Sequence, residues 1–174
     1  MRKITLAFVA VLFAAGAFAQ DYKNSIGIRF GSGDYDLVSA AFKTFLNNGP
    51  GALEFDLGFR TDKSGDRYFG NQLKWTNVSL SGAYQHHFPI PNVEGFKWFV
   101  GGGAVLSNTF VSGDYDIDGG FNAGIFPTGG VDYKLKNAPF AFSADVRPTF
   151  HIVNGYDYYS GFYFNGGLTA RYTF

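Results

Sequence analysis

The chain has 174 residues, 14 basic and 14 acidic side chains, no cysteine, 24 glycines, and an aromatic set of 21 Phe, 11 Tyr and 2 Trp. A balanced charge leaves no electrostatic footprint for nucleic acid. Without cysteine there is neither a disulfide framework nor a thiolate metal centre, and no motif asks for a cofactor.

The chain opens with a leader. Arg2 and Lys3 precede an apolar run over residues 4–15, followed by Ala17-Phe18-Ala19. A basic start, a short apolar stretch and a small-x-small site predict a secretory signal peptide over residues 1–19. Residues 20–174 then form one domain.

The rest reads in alternation, the period of strands with unlike faces. The first predicted strand, 22–30, sets Ile26, Ile28 and Phe30 against Ser25, Gly27 and Arg29. The second, 37–45, sets Val38, Ala40 and Phe42 against Ser39, Ala41 and Lys43. In the third, 53–60, Leu53, Phe55, Leu57 and Phe59 alternate with Glu54, Asp56, Gly58 and Arg60. A polar loop over 61–72 leads to the fourth strand, 73–88. The fifth, 96–107, is ambiguous: with Trp98, Val100, Ala104 and Leu106 outward, Phe99 and Val105 face in. A loop over 109–120 precedes the sixth, 121–135, where Pro127 predicts a bulge because it cannot donate to the ladder. The seventh, 140–150, sets Phe140, Phe142, Ala144, Val146 and Phe150 against Ala141, Ser143, Asp145, Arg147 and Thr149. A further loop covers 151–159. The eighth strand, 162–174, has an apolar set with aromatics at both ends, Phe162, Phe164, Gly166, Leu168, Ala170, Tyr172 and Phe174. Aromatics at both ends of an apolar strand face suit two membrane–water interfaces.

An even strand count puts both termini at one end. The turns after strands two, four and six are short and Pro-bearing; three of the other four connections are longer, the outer-membrane pattern. The leader, the alternating strands 53–60 and 140–150, and the ending Leu168-Thr-Ala-Arg-Tyr-Thr-Phe174 together resemble the small OmpA/OmpX-like and opacity-protein-like barrels. The resemblance implies an all-β fold, an eight-stranded antiparallel up-and-down transmembrane β-barrel, monomeric, in a bacterial outer membrane with periplasmic termini. It implies contact with outer-membrane lipid and lipopolysaccharide. It also implies recognition of the last strand, through Tyr172 and Phe174, by the barrel-assembly machinery. Because the chain stops at that strand, no peptidoglycan-binding domain is expected.

The polar parity places Arg29, Lys43, Glu54, Asp56, Arg60, Asp132, Lys134, Asp145, Arg147 and Arg171 in the lumen. An eight-stranded barrel is just wide enough for side chains to fill it, so these ions are expected to pair as a plug; a selective pore is the alternative. The outer loops are acidic and carry Tyr35, Tyr68, Tyr115, Tyr156, Tyr158 and Tyr159, either a surface for an unknown ligand or part of an aromatic girdle. Asp114, Asp116 and Asp118 precede Gly119 in the spacing that opens a calcium loop, but Ile125 stands where the closing acid belongs, and the flanks are strands. A solvated acidic loop is the simpler reading.

The histidines are His86, His87 and His151. A nucleophilic site would need His151 within reach of Ser160 and Asp157. Neither a Gly-x-Ser-x-Gly elbow nor a His-x-Ser-Asn signature like that of lipid A deacylase barrels occurs. The sequence therefore points to a non-enzymatic barrel with a structural or adhesion-like role. A narrow solute channel is the first alternative and a lipid A-modifying enzyme the second.

Overall fold

The computed structural model describes residues 22–33, 35–47, 49–65, 72–113, 119–155 and 161–174, with 63–65, 72, 73 and 113 described for the backbone alone. Eight strands follow in chain order: β1 (Asn24–Gly31), β2 (Val38–Phe45), β3 (Gly51–Gly65), β4 (Gln72–Pro89), β5 (Phe96–Gly113), β6 (Gly120–Lys134), β7 (Phe140–Asn154) and β8 (Phe162–Thr173). Each pairs antiparallel with the next, and β1 pairs with β8, so the sheet closes. Closure removes the open edge that lipid could not satisfy.

The two faces are inverted relative to a water-soluble protein. Ile28, Leu57, Leu80, Leu106, Phe142, Phe164 and Leu168 point outward and are exposed, while Arg29, Lys43, Glu54, Asp132, Arg147 and Arg171 are buried inside. In water an apolar belt of this extent would aggregate; in a bilayer it is the solvated face. Aromatics ring the end that carries the termini: Phe88 stacks on Trp98 at 4.3 Å, and Phe140 meets Tyr172 edge-on at 5.9 Å. At the opposite, distal end Phe150 packs on Phe162 at 4.9 Å. β5 adopts the outward set Trp98, Val100, Ala104 and Leu106, which buries Phe99 and Val105 in the lumen.

The turns at the terminal end use left-handed backbone. Asn47 and Asn92 have φ of 50° and 65°, and Gly95 has φ of 79°. A side chain at Gly95 would also collide with the Lys134 carbonyl, so glycine is required there twice over.

Two sequence expectations change. The loops expected over 61–72, 109–120 and 151–159 begin as strand: β3 runs to Gly65, β5 to Gly113 and β7 to Asn154, and β4 and β6 start at Gln72 and Gly120. Pairing continues past the apolar belt through such contacts as Thr61 Oγ1 with Thr76 Oγ1 at 3.2 Å. Over residues 61–64 of β3 the sequence is polar throughout, so the alternation that marks a strand fades while the ladder persists. Nor is Pro127 a bulge. The same register holds on both sides of it, Ile125 opposite Phe150 and Gly129 opposite Val146, and the register shift lies higher, between Ala123 and Gly124.

Candidate functional site

Inward residues from six strands meet along the barrel axis. Arg29 (β1) binds Asp145 (β7) through Nη2 at 2.9 Å and Asp36 through Nη1 at 2.6 Å. Arg147 (β7) reaches Asp56 and Glu54 (β3), each at 2.6 Å. Its Nε lies 2.9 Å from Asp145 Oδ1, a charge contact rather than a hydrogen bond. Toward the terminal end, Lys43 (β2) sits 2.9 Å from Glu54 and 3.0 Å from Asp132 (β6). Arg171 (β8) bonds the same Asp132 at 2.8 Å, Glu54 at 3.3 Å and the Ser143 hydroxyl at 2.8 Å. The contacts form one connected chain from Asp36 at the distal side to Asp132 near the termini. No member is more than 5 % exposed.

This arrangement follows from strand register. Lys43 stands opposite Glu54 across β2–β3, so the pair forms between neighbours. The arginines span the bore instead, because a guanidinium on a long stem can meet carboxylates from non-adjacent strands with two or three donors. Buried ions are tolerated only when each finds such partners.

Eight of the ten inward charges read from parity join this network: Arg29, Lys43, Glu54, Asp56, Asp132, Asp145, Arg147 and Arg171. Two do not. Arg60 lies at the distal rim, where Nη1 donates to the Gly33 carbonyl, the guanidinium sits 5.2 Å from the Trp75 ring, and Asp62 is 3.6 Å away. Lys134 is the last residue of β6, and its Nζ donates to the carbonyls of Leu135 and Ala138 at 2.7 and 2.8 Å. Both have inward parity, but Arg60 stands just past the last β2 pair, beside the β1–β2 connection, and Lys134 at the end of β6, where a long cation finds connection carbonyls sooner than the bore.

Asp36 is the missing member. It reads as a solvated loop acid, yet the β1–β2 connection folds inward and buries it: Arg29, Ser39 Oγ at 3.2 Å and Asn165 Nδ2 at 2.9 Å all donate to it. Tyr35 follows it into the lumen and shares a 3.2 Å hydrogen bond with Thr149. Nothing in the local pattern signals this, because the connection breaks the parity of both strands. His87 is also inward, between Phe45 at 4.9 Å and Phe99 at 5.0 Å, with Nε2 3.9 Å from Asp132.

Of the other candidate residues, Asp114, Asp116 and Asp118 lie outside the described residues, as do Tyr68, Tyr115, Tyr156, Asp157, Tyr158, Tyr159 and Ser160. Among the described residues no cluster of three or more His, Asp or Glu is placed to hold a metal. His86 bonds Tyr84 at 3.3 Å on the outer face, and His151 packs edge-on against Tyr163 at 4.8 Å. Phe174 is exposed and its ring stacks with that of Tyr172 at 6.5 Å.

No family model and no curated protein matches the sequence. Solved structures do match. CarO of Acinetobacter baumannii shares 10 % identity over 88 % of this chain and 98 % of its own, with a TM-score of 0.50. Neisserial surface protein A (NspA) shares 14 % identity over 87 % of this chain and 95 % of its own, with a TM-score of 0.45. Ail, the attachment invasion locus protein of Yersinia pestis, shares 14 % identity over 87 % and 97 %, with a TM-score of 0.44. At such identities the likeness is one of fold, and it agrees with what the inverted faces and the closed sheet require. The chain is a closed eight-stranded outer-membrane β-barrel, a fold it shares with CarO.

Proposed function

We propose that the protein is a closed, non-enzymatic outer-membrane barrel whose role is structural or surface-interactive, with the lumen ions serving as a plug. One observation carries this reading: Arg147 ties Glu54, Asp56 and Asp145 together across the bore, and all four are nearly inaccessible. A conducting path needs hydrated ions along its wall; here the ions spend their valence on each other. The inward fold of Tyr35 and Asp36 adds a stopper on the distal side.

In this reading residues 1–19 are a cleaved signal peptide and residues 20–174 the barrel. The terminal end faces the periplasm, and Tyr172 and Phe174 present the last strand to the assembly machinery. The monomer sits in lipopolysaccharide and lipid, and its acidic distal connections, Asp114, Asp116 and Asp118 among them, meet a surface ligand or loosely held divalent cations.

The test is ion conductance of the refolded chain in a planar bilayer, with insertion verified by heat-modifiable gel mobility. Stable insertion without conductance is expected. Discrete, reproducible steps would replace the plug with the channel reading.

A further inference from the structure

The β6–β7 seam is unlike the other seven. Its ladder is recorded at Ile125–Phe150 and again at Gly129–Val146, with nothing between. That register sets Pro127 directly opposite Pro148. Hydrogen-bonded and non-bonded pairs alternate along an antiparallel ladder. Leu135 N donates to Phe140 O at 2.9 Å, so residues of β6 with the parity of Leu135, Pro127 included, form the bonded pairs with β7. On the other side of β7, Thr173 N donates to Pro139 O at 2.9 Å, which makes Pro148–Phe164 a non-bonded pair. Each proline thus faces the other at the one kind of position where both should donate, and neither has an N–H. The carbonyls of Pro127 and Pro148 lose their ladder donors together.

The outer surface is hollow at the same place. Pro127 pairs with Gly102 of β5; Gly129 pairs with Val100 and Val146, and Val146 with Gly166 of β8. A Cβ at Gly102 would meet only the Phe126 carbonyl at 3.4 Å, and one at Gly129 only the Phe99 carbonyl at 3.7 Å, so the space outside both is open. Trp98, Val131 and Leu168 stand below this furrow and Ile125, Phe150 and Phe162 above it. It lies inside the apolar belt, where bulk water does not reach and an unpaired carbonyl is costly.

We propose that the furrow over Gly102, Pro127 and Gly129, bounded by Val146, is a lateral binding site for one acyl chain of the bilayer that carries a hydroxyl. The methylenes lie in the furrow and the hydroxyl donates to the Pro127 or Pro148 carbonyl. This site faces lipid and stands whether or not the lumen conducts.

The experiment uses the refolded chain with Trp75→Phe, which leaves Trp98 at the furrow's lower edge as the sole tryptophan. An octadecanoic acid brominated at mid-chain quenches Trp98, and two competitors displace it: octadecanoic acid and its mid-chain hydroxylated form. One added hydrogen bond is worth about 0.5–1.5 kcal/mol, so the hydroxylated acid should displace the quencher at roughly 2- to 13-fold lower concentration. Restoring both donors with P127T and P148T together should abolish that preference. Gly129→Leu, which fills the furrow and spares the ladder, should abolish it as well, and this decides the matter if the double variant does not refold. Equal displacement by the two acids, or a preference that survives in either variant, would overturn the proposal.

Discussion

The lumen has two unlike walls. β1, β2, β3, β6, β7 and β8 supply every ion of the network outside the β1–β2 connection. β4 and the facing part of β5 supply no Asp, Glu, Lys or Arg to it: their inward residues are Asn77, Ser79, Ser81, Ala83, Gln85 and His87, then Phe99, Gly101, Gly103, Val105, Ser107 and Thr109. The neutral wall is what makes the charged wall possible. Long cations cross the bore only if the far side is thin. Between the two walls lie aromatics. The Arg147 guanidinium sits 5.5 Å from the Phe126 ring and Lys43 Nζ 5.0 Å from the Phe99 ring. The rings in turn rest over missing side chains, since a Cβ at Gly103 would lie 2.8 Å from Phe126 Cζ and one at Gly130 2.8 Å from Phe99 Cζ. At both rings the stacking order is ion, aromatic, glycine, with the glycine on β5 under Phe126 and on β6 under Phe99.

The largest effect is expected on the charged wall. Arg147→Ala leaves Glu54, Asp56 and Asp145 facing one another without their shared cation. Removing one partner of a buried network costs about 3–5 kcal/mol, because the remaining charges stay desolvated. Urea unfolding of the lipid-reconstituted variant should show a loss of that order; an unchanged midpoint would mean that water reaches the acids and the plug is loose.

A smaller effect is expected on the neutral wall. Gly103→Val forces the new side chain against the Gly82 carbonyl and the Phe126 ring. Overpacking of a filled interior costs roughly 1–3 kcal/mol. The change should also move the Phe126 ring off Arg147, visible as an altered aromatic signal in near-ultraviolet circular dichroism. If the variant is as stable as the parent, the glycine is not holding space for the ring.

The two walls also differ in how far they can be read from sequence. The charged wall is legible because β3 and β7 alternate without interruption, so Glu54, Asp56, Asp145 and Arg147 fall on one parity. Of the neutral wall, β4 is equally legible, with Ser79, Ser81, Ala83 and Gln85 alternating with Val78, Leu80, Gly82 and Tyr84, but β5 is not. Gly101-Gly102-Gly103 carries no polarity, and Phe99 and Val105 put apolar groups inside, so alternation in β5 is erased where it matters. Parity says which side a residue faces but not how far its side chain reaches, and so Arg60, beside the β1–β2 connection, and Lys134, at the end of β6, drop out. It has no meaning in a connection, and so Asp36 enters unannounced. The proline gap needs the register between two strands, which one strand's pattern does not contain.

Ions outside the lumen complete the contrast. On the turns at the terminal end, Lys136 Nζ bonds Glu94 at 2.7 Å, a length matching the buried pairs, but both side chains are exposed. The hydrogen bond to Glu94, and then its charge, raise the Lys136 pKa above the ordinary lysine value. A raised folded-state pKa gives a contribution present below the unfolded value of about 10.4 and lost as pH rises through the folded one. Here solvent screening cancels most of it, and holding two mobile side chains together costs entropy. Glu94→Gln should therefore leave the urea midpoint unchanged at neutral pH and equally unchanged above pH of about 10.4. A measurable drop at neutral pH that disappears in alkali would show that this turn anchors the barrel, and that distance rather than burial sets what an ion pair contributes here.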